Sequence, residues 1–211
     1  MRKKTLFLLG GKLLLAFVGW TLLLHFVDVQ KIGPRESAVG FATVNGWFHE
    51  LTGTNMSLYI ITDWLGLVPI GVALGFAVLG LVQWITRRKL LRVDRSLFVL
   101  GGFYIVVMMV YILFETIVIN YRPVLIEGYL EVSYPSSTTL LVLCVMPTAM
   151  MQFHDRIKNN VCRRWVKWII AVFVAFMVIG RLLAGVHWIT DIIGGALLSA
   201  GLVSLYAAIV E

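Results

Sequence analysis

The stretch Ser133–Leu140, SYPSSTTL, decides the fold. It sets four consecutive hydroxyl residues, Ser136 to Thr139, ahead of an apolar run over about 138–153 that is short for a membrane crossing by itself. Pro135 and Ser136 read as a helix start, because proline is tolerated at a helix N-terminus and serine is a favoured N-cap. A helix that begins inside the hydroxyl cluster is long enough to cross. The chain then makes an even number of crossings.

The surrounding sequence has the composition of a membrane protein. Of 211 residues, 60% are hydrophobic and only 14% are charged, with a mean hydropathy of +0.91, too apolar for an ordinary soluble domain. A span needs roughly 20 mostly apolar residues. Such runs fall at about 5–27, 58–85, 96–119, 138–153, 165–183 and 187–208. The opening MRKK and its long apolar run read as an uncleaved first span, since no small-residue cleavage site follows.

The net charge of +7 is a topology signal. The basic residues cluster as Arg2, Lys3 and Lys4, as Arg87, Arg88, Lys89, Arg92 and Arg95, and as Arg156, Lys158, Arg163, Arg164 and Lys167. These clusters flank alternate crossings, so the positive-inside rule puts them in the cytoplasm, beside anionic lipid headgroups. The placement argues against a nucleic-acid partner. The sequence thus predicts an all-α, polytopic membrane protein: a six-transmembrane-helix bundle, a single domain over 1–211, with both termini cytoplasmic. The cysteines, Cys144 and Cys162, suggest neither a disulfide scaffold nor a metal site.

Parity then sorts the polar residues. On the outer side fall 28–57, 120–137 and the turn between the last two spans. In the first of these, Phe41, Val44, Phe48 and Leu51 recur at helical spacing, which predicts an amphipathic helix lying in the interface. Three stretches converge on this face: NYRPVL after the third span, YPSSTTL before the fourth, and GRLLAGVHWITD between the fifth and sixth. His187 and Asp191 are four apart, so on one helix they share a face and the carboxylate can orient the imidazole. Arg181 lies six residues before His187, about 120° away on a continuous helix, and a bend near Gly185 would bring it round. Arg122 and Arg181 together make an anion site suited to a lipid-borne phosphate. The first-turn N–H groups and hydroxyls of Ser136, Ser137 and Thr138 add donors at a helix N-terminus.

On these residues the chain resembles the type 2 phosphatidic acid phosphatase (PAP2) superfamily of integral-membrane lipid phosphatases. The family signature reads K-x6-R-P, then P-S-G-H, then S-R-x5-H-x3-D. Here the third motif is kept except that Gly180 replaces its serine. The first keeps Arg122-Pro123 but has Glu115 for lysine; the second keeps Pro135-Ser136 but has Ser137 for glycine and Thr138 for histidine. The resemblance covers about residues 58–208.

By resemblance, His187 is the nucleophile that takes the phosphoryl group and Asp191 orients it. Arg122, Arg181 and the region of Ser136, Ser137 and Thr138 hold the phosphate oxygens. The mechanism uses no metal and no cofactor. The implied substrate is a membrane lipid carrying phosphate or diphosphate, met at the outer face of the cell membrane.

The departures remove the histidine that protonates the leaving oxygen and a phosphate-binding lysine. A positioned general acid is worth about 10² to 10⁴ in rate. Expelling a lipid monophosphate from a diphosphate needs that proton less than expelling an alkoxide does, so a polyprenyl diphosphate is the expected preference. Glu115 is expected either to pair with Arg122 or Arg181 or to be protonated and act as a proton donor. His25, His49, Glu127 and Glu131 are further outer-side candidates. The rival expectation is a catalytically degenerate relative that binds or moves an anionic lipid.

Overall fold

The computed structural model describes residues 2–211. The helices are α1 (Arg2–Phe26), α2 (Ala42–Thr52), α3 (Met56–Leu65), α4 (Leu67–Arg87), α5 (Arg95–Thr116), α6 (Ser137–Arg156), α7 (Asn160–Leu183) and α8 (Ile189–Val210). The described residues contain no strand beyond isolated bridges. Five segments are long and apolar enough to cross a membrane: α1, α3 with α4, α5, α7 and α8.

α6 is as long as a span, at 20 residues, but less apolar. Its position accounts for this. It packs against α4, α5, α7 and α8, so its polar Thr148 and Gln152 are buried in protein and bonded there. Gln152 donates to the Tyr206 hydroxyl at 2.6 Å and accepts from Arg156, which pairs with Asp94; Asp94 also pairs with Arg87. This network ties α4, α5, α6 and α8 together at one end of the bundle. Leu15, Ile85 and Val172 instead turn outward as part of an apolar outer surface.

Two expected boundaries change. The run expected as one span over 58–85 is two helices broken at Gly66. Pro69 has no N–H, and in a continuous helix its ring would strike the Leu65 carbonyl. The amphipathic segment forms α2, with Val44 and Leu51 exposed and Ala42 and Asn45 turned inward. Asn45 donates to the Gly40 carbonyl at 2.8 Å and to Thr190 Oγ1 at 3.0 Å, fastening α2 to the start of α8. His187, expected to open the last span, precedes α8 in a loop.

α8 is the central helix. It lies along α1 where glycines let the backbones approach, as small residues do in membrane helix pairs. A Cβ at Gly201 would stand 2.8 Å from Leu14 Cδ2 and 3.2 Å from the Leu14 nitrogen. Tyr134, just ahead of α6, is held in the same core. Its ring stacks parallel to Phe17 at 6.1 Å, and its hydroxyl lies 2.7 Å from Thr21 Oγ1. The start of α6 is therefore anchored on α1 and α8. Gly201→Val should overpack this contact and destabilise the fold by about 1–3 kcal/mol, seen as a lower Tm in detergent.

Candidate active site

Asp191 is the third residue of α8 and fully buried. It closes a capping box, accepting from the Trp188 N–H at 2.9 Å while its own N–H donates to the Trp188 carbonyl at 3.0 Å. The carboxylate also accepts from the Ser133 hydroxyl and from Asn120 Nδ2 at 3.3 Å. The Asp191 carbonyl takes the N–H of Ser136 at 3.2 Å. One residue thus gathers the segments before α6 and before α8.

Asn120 and Ser133 reach it because the segment between α5 and α6 doubles back on itself. Ser133 N–H donates to the Asn120 carbonyl at 2.9 Å and Arg122 N–H to the Glu131 carbonyl at 3.0 Å. The turn lies between Ile126 and Tyr129, where Glu127 and Gly128 both have positive φ, 50° and 83°, as a tight hairpin turn requires. This ribbon carries Arg122 on one arm and Ser133 on the other.

The bend expected near Gly185 is present. Gly185 has φ +65°, and a Cβ there would stand 1.9 Å from the Gly53 carbonyl oxygen, so the position admits only glycine. The turn faces His187 toward Arg181, whose Nη2 lies 3.1 Å from His187 Nε2. A guanidinium only donates, so Nε2 must accept and the ring proton sits on Nδ1. Nδ1 is 3.1 Å from the Ser133 carbonyl and 3.0 Å from its hydroxyl. Asp191 Oδ2 is 3.8 Å away. Asp191 therefore acts on His187 chiefly through Ser133, rather than by the direct contact that the four-residue spacing suggests. Burial, followed by the charges of Arg122 and Arg181, holds the His187 pKa well below the ordinary imidazole range. The imidazole is neutral at pH 7, with its lone pair on Nε2.

Arg181 and Arg122 flank the Tyr59 ring, 4.9 and 5.8 Å from its centroid. Arg181 is 1% exposed and Arg122 9%. Arg181 Nη1 lies 3.7 Å from Asp63 Oδ1, and Arg122 Nε lies 3.0 Å from Glu131 Oε2 without hydrogen-bond alignment. Nε and Nη1 of both arginines are buried with no hydrogen-bond partner in the protein. Leaving buried charged donors unpaired is costly, so these groups favour an anion.

The other expected residues divide. Ser136 is fully buried with its N–H committed to Asp191 and its hydroxyl accepting from Thr139 Oγ1 at 3.0 Å, so it builds the site rather than facing it. Ser137 lines a narrow cleft with His187, Tyr111, Phe114 and Glu115. Thr138 turns its methyl toward the break between α3 and α4, 3.7 Å from where a Gly66 Cβ would stand. Glu115 has no cation within 4.0 Å among the described residues; the pairing expected of it falls to Glu131 and Asp63. His49 packs its ring on Trp188 at 5.7 Å.

Sequence reasoning missed Ser133, Asn120, Tyr59 and Asp63. Asp63 carried a signal: it is the lone charged residue in the apolar run 58–85.

Asp191→Asn should lower stability by about 1–3 kcal/mol, because one carboxylate oxygen serving both Ser133 and Trp188 is lost; thermal unfolding in detergent measures it. A second expectation concerns pH. Below about 6.5 the unfolded chain protonates its imidazole while native His187 does not, so stability falls as pH drops through that value. His187→Gln should flatten this part of the stability profile.

A search of the curated proteins finds no match. Among solved structures, the fold matches a transmembrane PAP2-type phosphatidylglycerolphosphate phosphatase from Bacillus subtilis, with TM-score 0.53 and 19% identity over 94% of this chain and 93% of that one. At that identity the likeness shows a shared fold. The family model of the PAP2 superfamily matches residues 70–211. This is well over half of the sequence, and it includes both arginines, His187 and Asp191: the chain belongs to the PAP2 superfamily.

Proposed function

We propose that this protein is a metal-independent lipid phosphatase that works at the extracytoplasmic face of the cell membrane through a phosphohistidine, with a lipid diphosphate such as a polyprenyl diphosphate as preferred substrate. The reading includes α6 as a sixth crossing, with both termini cytoplasmic. The observation that carries it is the set of buried, unpartnered guanidinium N–H groups beside a neutral histidine.

The chemistry follows from that arrangement. Arg181 and Arg122 offer a cationic fork to phosphate oxygens, which replaces their unpaired state with charge-assisted hydrogen bonds. A phosphate oxygen takes over Arg181 Nη2 from His187, and the freed Nε2 lone pair faces phosphorus. As Nε2 attacks, positive charge develops on the ring. The Ser133 carbonyl holds the Nδ1 proton, and the Asp191 carboxylate behind the Ser133 hydroxyl stabilises that charge. The rigid cores on both sides fix the geometry, so little ordering remains for the reaction step.

Thr138 supplies no acid, which supports the diphosphate preference: its leaving group is a stable phosphate anion. The same residue favours a second reading, in which the site binds or moves an anionic lipid without turnover.

Purified protein is offered polyprenyl diphosphate, phosphatidylglycerol phosphate and phosphatidic acid, and phosphate release is compared with that of His187→Ala. The wild type should release phosphate fastest from the diphosphate, and the variant should fall to background. Equal release from both proteins sinks the phosphatase reading, and saturable lipid binding without release selects the second. Thr138→His should speed monoester hydrolysis by about 10²-fold or more while changing diphosphate hydrolysis less; the reverse ranking refutes the leaving-group argument.

A further inference from the structure

We infer that the apolar groove between α4 and α5 holds one acyl chain of an anionic glycerophospholipid, whose phosphate sits at Arg88, Lys89 and Arg92, at the end of the bundle opposite His187. The site is separate from the one proposed for catalysis. α4 and α5 are joined at that end by Asp94, which accepts from Gln83 Nε2 at 2.8 Å and from Arg87 Nη1 at 2.9 Å. Beyond this junction they part. A cavity of about 580 Å³ opens between them, floored by Leu141 and Val145 of α6. Small residues make the room: Ala73, Ala77 and Gly80 line it from α4 and Gly101 from α5, and a Cβ at either glycine would meet nothing within 4 Å. Membrane helices associate through packing, so a gap of this size forfeits dispersion contacts unless hydrocarbon fills it.

The dimensions select a single chain. From Pro69 to Trp84 the α4 wall runs about 22 Å at the helical rise. A helix of a second copy, about 10 Å across, would need about 1,700 Å³ over that length, so it could only rest on the rim. The lining carries no charged residue, and the hydroxyl of Tyr104 is already 3.2 Å from Thr148 Oγ1. The occupant is therefore apolar along its length.

The surrounding charges say whose chain it is. Toward His187 the groove is rimmed by Pro69, Ile70 and Met108, while Arg122 and Arg181 are buried around Tyr59 and do not line it. At the other end it is bounded by Leu90 and Val93, in the loop that carries Arg88, Lys89 and Arg92. Of the cations near this loop, Arg87 and Arg156 are taken by Asp94. Arg88, Lys89 and Arg92 are exposed and form no ion pair among the described residues.

The loop is built to present them. Arg87 Nη1 also donates to the Arg92 carbonyl, and the Asp94 N–H donates to Gln83 Oε1 at 3.0 Å, which fixes the backbone between them. Asp94, so engaged, leaves the first turn of α5 without a side-chain cap, and that turn favours an anion beside the cations. A phosphodiester there, with its acyl chain in the groove, satisfies both halves of the site at once. Hydropathy and charge set every basic cluster beside anionic lipid in general; the groove singles out this one.

Lipid-stripped protein in detergent is titrated at low salt with dioleoylphosphatidylglycerol or dioleoylphosphatidylcholine, and bound lipid is counted by native mass spectrometry. The tails are identical, so a difference reads the headgroup. The wild type should hold one phosphatidylglycerol more tightly than the choline lipid. Replacing Arg88, Lys89 and Arg92 together by glutamine should weaken it by about 10²-fold, the equivalent of about 1 kcal/mol for each cation. The same change at Arg163, Arg164 and Lys167 should leave it unaltered. Gly101→Leu fills the groove and should weaken phosphatidylglycerol by about 10-fold or more without lowering the Tm of the lipid-free protein; Gly80→Leu does the same from the opposite wall.

Equal affinity for the two lipids, equal losses in the two triple variants, or full retention in both groove-filled variants overturns the inference. So does a groove-filled variant that keeps phosphatidylglycerol but loses turnover of the long-chain diphosphate, which makes the groove the path of a substrate tail. One that keeps the lipid but passes from dimer to monomer overturns it too, in favour of a contact between copies. His187→Ala should bind phosphatidylglycerol as the wild type does, so the result stands whether or not the phosphatase reading fails.

Discussion

The site depends on the buried carboxylate of Asp191. It holds Trp188 through the capping box, Ser133 through its hydroxyl and Asn120 through its amide, while its carbonyl holds the backbone of Ser136. A carboxylate inside a membrane bundle is costly unless its lone pairs are filled, and here segments distant in sequence fill them. The start of α6, the start of α8 and the ribbon between α5 and α6 are locked to one point. The His187 tautomer is a by-product of the same knot, because Ser133 faces both Asp191 and Nδ1.

The arginines show the opposite economy. Each is buried with two guanidinium nitrogens, Nε and Nη1, that have no hydrogen-bond partner in the protein. The aromatic face of Tyr59 and the carboxylates of Asp63 and Glu131 offset part of this cost. Such under-satisfaction is tolerable where an anion completes the shell. It also separates the duties of the polar residues: Asp191 and Ser136 build the scaffold, while Arg122 and Arg181 retain unused bonding capacity.

The break between α3 and α4 links fold to site. Pro69 removes a backbone donor and crowds the Leu65 carbonyl, and α3 ends at Leu65, packed on α7 at Gly180. Without this, the lone acid of the apolar run would have no reason to sit beside Arg181. Positions that look like losses when the motif is read as a string, Gly180 and Thr138, are in the structure the places where α3 is accommodated.

Much of this was legible in the sequence. Hydropathy established a helical membrane protein, because a bilayer admits few other solutions for a chain this apolar. The spacing around Arg181, Gly185, His187 and Asp191 anticipated that these residues come together, since a glycine bend is the simple way to face those side chains toward one another. Tertiary structure decided what spacing cannot encode. Ser133, rather than direct contact, carries Asp191 to His187; Ser136 is spent on the scaffold; Glu115 pairs with neither arginine, and Asp63 meets Arg181 instead. These outcomes turn on a hairpin ribbon and a broken helix that bring together residues 54 to 118 positions apart, such as Ser133 with His187 and Asp63 with Arg181. Periodicity reports which face a residue occupies, and only packing reports what it meets there.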